Sequence, residues 1–170
     1  MTGILGVAPS WVGDALLSQP LLALLRQRDP RAMIDVLGPG WALPIFRRMP
    51  EVNETIESPF AHGELALGKR LKIGRQLRAR HYDRAYVLPN SFKSALIPLF
   101  ARIPERIGFV GEARHWLLTD ARELDERALP LMVQRFAHLA APGGAAVERE
   151  LPNPGLRVEP AERDRLAAHL

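Results

Sequence analysis

The chain has 170 residues, 47% of them apolar and 25% charged, enough for one domain that buries a sizeable core without disulfides or structural metals. It has no cysteine, which excludes zinc–thiolate sites, iron–sulfur clusters, disulfide scaffolds and thiol catalysis together. The net charge of +4 rests on three lysines and twenty arginines, and the whole excess lies between Leu65 and Arg80, since the remainder carries 17 basic and 19 acidic residues, net −2.

No charged region precedes the short apolar run at the N-terminus, so Ile4 to Ala8 reads as a first strand and not as a secretory signal, which favours the cytoplasm. A helix is predicted from about Asp14 to Arg28, turning Leu17, Leu21, Leu24 and Leu25 inward. Asp29-Pro30 stops it, because the residue before a proline is pushed out of the α region. Met33 to Leu37 reads as the second strand, Gly38-Pro39-Gly40 as a turn, Trp41 to Arg48 as a short helix and Thr55 to Ser58 as the third strand. In the basic segment Leu67, Leu71, Gly74 and Leu77 recur at helical spacing. The pattern predicts one apolar stripe and an opposite face carrying Lys69, Arg70, Lys72, Arg75 and Arg78. Such a face lies on an anionic membrane or ligand, or is simply solvated. With no interleaved aromatics and no DNA-binding motif around it, nucleic acid is not the expected partner.

Arg84 to Leu88 reads as the fourth strand, Pro89-Asn90-Ser91 as a loop, and Phe92 to Ala101 as a helix capped by Ser91. Ile107 to Phe109 is the fifth strand, about Leu129 to Ala140 a helix, Pro142 to Pro160 a connector and Ala161 to Leu170 a last helix. No run approaches the ~18 apolar residues of a membrane span, and the longest, Ser94 to Ile103, is broken by Pro98. The alternation predicts an α/β, Rossmann-like three-layer domain with a mostly parallel sheet.

Ligands of such sheets collect at the carboxyl ends of the strands, so the loops after strands 1, 4 and 5 are the candidates. The first, Ala8-Pro9-Ser10-Trp11-Val12-Gly13-Asp14, sets a carboxylate at a helix start, with Gly13 admitting close approach. Asp14 there either complements the helix dipole or acts as a general base. One glycine does not make a dinucleotide fingerprint, and no Walker loop occurs. After strand 4, Lys93, the Ser94 hydroxyl and free backbone N–H groups could hold an anion, or Ser91 could merely cap beside an exposed lysine. On either side of strand 5, Arg102, Arg106, Arg114 and His115 are either a clamp for carboxylates or phosphates or surface charge. The histidines, His62, His81, His115, His138 and His169, show no metal-ligand spacing and read as surface residues. Asp-x-Asp and Gly-x-Ser-x-Gly are both missing.

In order and spacing, these loops resemble those of the ADP-heptose:lipopolysaccharide heptosyltransferases, glycosyltransferase family 9. The resemblance runs from the Asp14 loop through Asp35-Val36-Leu37, Met49-Pro50-Glu51-Val52 and His62-Gly63-Glu64-Leu65-Ala66-Leu67-Gly68. It continues through Val87 to Leu96, Ile103-Pro104-Glu105-Arg106-Ile107-Gly108 and Pro130-Leu131-Met132-Val133. It implies a GT-B architecture, two Rossmann-like halves across a cleft. Residues 1–150 would be the acceptor-binding domain and 151–170 an interdomain linker and helix, with the donor-binding domain lying outside this chain. It further implies inverting transfer of heptose from ADP-heptose to the first heptose of heptosyl-Kdo2-lipid A, with Asp14 as base and no metal or other cofactor. By position, Ser10, Trp11 and Gly13 would shape the loop beside Asp14, and Asn90, Lys93, Ser94, Arg106 and Arg114 would line the acceptor side. Lys69, Arg70, Lys72, Arg75 and Arg78 would face anionic lipid at the inner face of the inner membrane. Two other readings stand beside this one: a stand-alone anionic glycolipid-binding module, and a nucleotide-binding Rossmann domain of another enzyme.

Overall fold

A computed structural model describes residues 2–60, 64–145 and 150–158. Its strands are β1 (Gly3–Val7), β2 (Met33–Gly38), β3 (Glu54–Glu57), β4 (Arg84–Val87), β5 (Glu105–Phe109) and β6 (Asp120–Arg122). They form one all-parallel sheet of order β3-β2-β1-β4-β5-β6. The helices are α1 (Val12–Leu17), α2 (Gln19–Arg28), α3 (Leu43–Arg47), α4 (Leu67–Leu77), α5 (Leu96–Phe100) and α6 (Met132–Ala140).

Strand residues alternate between two buried faces, as a sheet covered on both sides requires. Ile4, Ile34, Val36, Tyr86, Ile107 and Phe109 pack against α2, α3 and α6. Leu5, Leu37 and Ala85, with Val7 and Val87 beyond them, meet α4 and α5 on the other face. On that second face the buried Asp35 carboxylate accepts from the Tyr82 hydroxyl at 2.6 Å and from Arg80 at 3.3 Å, while Arg80 also pairs with Glu54 at 2.9 Å. Burial and the Asp35 carboxylate raise the Tyr82 phenol well above its usual range.

Four local outcomes differ from the sequence reading. The helix expected from Asp14 to Arg28 is two helices, because Pro20 has no N–H to continue the ladder and sits instead in the first turn of α2, where none is needed. Ser91 has extended N-cap geometry but makes no capping hydrogen bond through its side chain, and the segment after it begins as a 3₁₀ turn, Phe92–Ala95. The edge strand β6, Asp-Ala-Arg, is too short and too polar to show as a strand in sequence. Finally, the buried stripe of α4 is Arg70, Gly74 and Leu77, rotated from the expected one, so that Leu67 is exposed and Leu71 half-buried.

The connector folds back on the domain over its described part: the Gly155 N–H donates to the Gln19 side chain at 2.9 Å, and the Arg157 N–H donates to the Arg48 carbonyl at 2.8 Å. The expected helix from Ala161 to Leu170, together with His62 and His169, lies outside the described residues.

Gly74 sets the approach of α4 to α5, since a Cβ built there would lie 2.4 Å from the Phe100 Cβ and 3.0 Å from the Phe100 carbonyl carbon. Gly74→Ala should therefore lower stability by about 1–3 kcal/mol through overpacking, although alanine is the better helix former by ~1 kcal/mol. Urea unfolding measures it, and an unchanged or raised midpoint would show that the helices can separate at no cost.

Candidate functional site

A cavity of about 640 Å³ opens at the carboxyl ends of β1, β2, β4 and β5. Its place follows from topology: the chain leaves β1 and β4 in opposite directions, and a parallel sheet cannot close the gap between the two diverging loops. Ser10, Trp11 and Asp14 from the β1 loop line it together with Asn90, Lys93 and Ser94 from the β4 loop. Gly13 is exposed and outside the lining, and a Cβ there would meet nothing within 4 Å.

Asp14 is half-buried in the first turn of α1. Trp11 occupies the N-cap, and no side-chain hydrogen bond caps this helix, so Asp14 does not serve as a cap. Among the described residues neither a hydrogen bond nor an ion pair engages its carboxylate. Lys93, also half-buried and lining the cavity, is likewise unpaired among the described residues.

The loop that carries Lys93 is held by arginines assigned other roles from sequence. Arg114 is completely buried. Its guanidinium donates to the Phe109 carbonyl at 2.7 Å, the Ser91 carbonyl at 3.1 Å, the Ser94 hydroxyl at 2.8 Å and the Asn90 side chain at 3.3 Å, and also to the Pro89 carbonyl. Burial lowers its pKa to about 10, which leaves it charged at neutral pH. Arg114 therefore cannot clamp an acceptor; it ties the end of β5 to the β4 loop. The Ser94 hydroxyl, donating at 2.6 Å to the Ser91 carbonyl while accepting from Arg114, is likewise absorbed within the loop.

Arg70 corrects the membrane-facing assignment. It is buried, lies 4.1 Å over the Phe60 ring, and donates to the carbonyls of Leu65 at 2.6 Å, Glu64 at 3.0 Å and Lys93 at 3.1 Å. Arg78 is half-buried, donating to the Phe100 carbonyl at 2.9 Å, and Lys69 pairs with Glu64 at 3.0 Å. Lys72 and Arg75 remain exposed on α4. Arg106 starts from the amino half of β5, at the opposite end of the sheet, and donates to the Leu117 and Ile103 carbonyls, so it does not reach the cavity.

Glu112, Arg135 and Trp41 also line the cavity and were not singled out from sequence. Glu112 accepts from the Phe92 N–H at 2.8 Å, so a carboxylate of the protein itself occupies part of the backbone anion site expected after β4. Glu112 and Ala113 both hold left-handed φ values, 41° and 53°, a strained turn that the buried Arg114 fixes from one side. Arg135 lines the far wall, donating to the Leu129 carbonyl at 3.0 Å. Trp41 follows β2, and its indole N–H donates to the Ser10 carbonyl at 2.9 Å. The available signal for Trp41 was the Gly-Pro-Gly turn before it, which marks another carboxyl-end loop. No group of three or more His, Asp or Glu among the described residues could hold a metal ion, and no helix among them is long and apolar enough to cross a membrane.

A family model described as glycosyltransferase family 9 (heptosyltransferase) matches residues 70–169. Lipopolysaccharide heptosyltransferase 2 of Salmonella typhimurium is 54% identical over 152 residues, which cover 89% of this chain and 44% of that protein. Lipooligosaccharide heptosyltransferase 2 of Haemophilus ducreyi is 50% identical over 137 residues, 81% of this chain and 39% of that protein. The solved structure of Escherichia coli ADP-heptose LPS heptosyltransferase II is similar at a TM-score of 0.89 and 47% identity, over 99% of this chain and 50% of that one. The chain thus spans about half the length of the curated relatives it matches.

Because Arg114 satisfies several buried carbonyls at once, Arg114→Met should cost roughly 3–5 kcal/mol in urea unfolding, and Arg114→Lys, with one compact ammonium, should restore less than half of that. A loss below about 1 kcal/mol for the methionine variant would mean that water replaces the guanidinium without penalty.

Proposed function

The chain belongs to glycosyltransferase family 9, the heptosyltransferases, and from that premise we propose that it supplies the acceptor-binding half and the catalytic base for heptose transfer in lipopolysaccharide synthesis. The donor on this reading is ADP-heptose, and the acceptor is the first heptose of heptosyl-Kdo2-lipid A. Residues 1–150 form the acceptor domain, 151–170 lead toward a donor-binding half, and the reaction calls for no metal or organic cofactor. The work is done in the cytoplasm, against the inner face of the inner membrane.

The observation that carries the proposal is the Asp14 carboxylate, unengaged among the described residues, lining the cavity at the point where the strand order reverses. In the proposed step an acceptor hydroxyl gives its proton to Asp14 as its oxygen forms a bond to the anomeric carbon. The bond from that carbon to the ADP oxygen breaks on the opposite face, and the electron pair leaves with ADP, so one displacement inverts the centre without a covalent intermediate on the protein. Lys93, without a partner of its own among the described residues, is suited to a carboxylate or phosphate of the acceptor. Charge on the departing diphosphate would be met by the donor-binding half.

The exposed Lys72 and Arg75 support a narrower membrane contact than the five basic residues expected on that face. Their attraction to an anionic surface is worth about 1 kcal/mol each.

Two measurements test these readings. In a chimera joining this chain to the remaining half of the Escherichia coli relative, Asp14→Asn should reduce transfer by about 10³-fold or more while ADP-heptose binding stays within about threefold; near-normal turnover would remove Asp14 from the role. Reversing both charges, Lys72→Glu with Arg75→Glu, should weaken binding of the chain to phosphatidylglycerol vesicles at least about tenfold and leave phosphatidylcholine vesicles unaffected. Equal binding of both vesicle types by the unaltered chain would dispose of the membrane contact.

A further inference from the structure

The chain has three tryptophans, and all of them stand on loops at the carboxyl end of the sheet with more than half of their surface in solvent: Trp11 at 71%, Trp41 at 56% and Trp116 at 63%. Tryptophan is among the more buried residues on average, so exposure of all three at one end of a domain asks for a ligand or partner there. Trp116 leans on Phe92, ring centroids 5.9 Å apart, outside the cavity. Trp11 and Trp41 line the cavity that holds Asp14.

We propose that Trp41, together with Trp11, forms an aromatic subsite that takes the C–H face of a saccharide ring at the mouth of this cavity; the inference rests on the glycosyl-acceptor reading above. Trp41 carries the argument. Its indole N–H, the only polar atom of the ring, is already used by the Ser10 carbonyl at 2.9 Å, so what it offers a ligand is an apolar aromatic face. The same hydrogen bond fixes the ring against the loop that bears Asp14, so that little side-chain freedom remains to be lost on binding. A ligand that uses both features presents hydroxyls on its edge and a flat patch of C–H on its face. A pyranose does this without charge. A nucleoside diphosphate would also stack, and because Arg70, Lys93 and Arg135 line the same cavity as the Asp14 and Glu112 carboxylates, the lining charge does not turn its phosphates away; ADP is therefore the competing probe in the test.

The test uses the 170-residue chain, ligand-observed NMR, and two probes: methyl L-glycero-α-D-manno-heptopyranoside and ADP. Saturation should pass from the protein mainly to C–H protons on one face of the heptoside ring. Trp41→Leu should raise the dissociation constant about tenfold or more, while Trp41→Phe, which keeps an aromatic face and loses the N–H, should stay within about threefold of the unaltered chain. Equal loss in both variants would reduce Trp41 to an anchor for the Ser10 loop and overturn the subsite. So would full retention by Trp41→Leu, a failure of the unaltered chain to bind the heptoside, or displacement of the heptoside by ADP at lower concentration than the heptoside itself. No donor is present, so the outcome is separable from that of Asp14→Asn: loss of the subsite leaves the base assignment standing, and loss of the base leaves saccharide stacking standing.

Discussion

One buried guanidinium organises the working end of this domain. Arg114 joins the last residue of β5 to Pro89, Asn90, Ser91 and Ser94 after β4, and every donor it directs there meets an oxygen of the protein. An isolated buried charge would be ruinous. Surrounded by carbonyl dipoles, it instead acts as a rigid cross-link that a lysine, with its compact ammonium, could not reproduce. Arg70 does the same from the other side of the loop, reaching the Lys93 carbonyl from α4. Between them the two side chains fix a segment that has only a 3₁₀ turn and a five-residue helix of its own.

The sequence periodicity carried the parallel sheet because each inner strand is apolar on both faces, and runs such as Ile4 to Ala8 have no other stable use. The position of the cavity was legible for the same reason: once strands alternate with helices, topology alone puts ligands at the carboxyl ends. What hydropathy could not read was the fate of arginine. A stripe pattern treats Arg70 as a surface residue, yet its long apolar stem crosses the α4 interface and its head finds three carbonyls. Arg114 was recognised as functional, but as a contact for substrate, because composition does not distinguish a guanidinium that meets a ligand from one that holds a loop. β6 escaped for want of length, and Trp41 because the second strand was not among the loops searched.

The charge tally changes accordingly. Of the six basic residues between Leu65 and Arg80, Arg70 is buried, Arg78 is bonded to a carbonyl, Arg80 is paired with Glu54 and Asp35, and Lys69 with Glu64. A segment that holds all of the chain's net positive charge thus presents far less of it to a partner than the count implies. Attraction to an anionic surface follows exposed, unpaired charge, and screening removes the rest over about 8–10 Å at ordinary ionic strength.

The same accounting sharpens the case for Asp14. Most of the charged side chains around the cavity are engaged by the protein: Arg70 and Arg114 by carbonyls, Arg135 by the Leu129 carbonyl, Glu112 by a backbone N–H. A carboxylate that holds structure loses hydrogen bonds when it takes a proton, and that loss opposes its use as a base. Asp14, which neither caps its helix nor bonds to any described residue, gives up nothing of the kind.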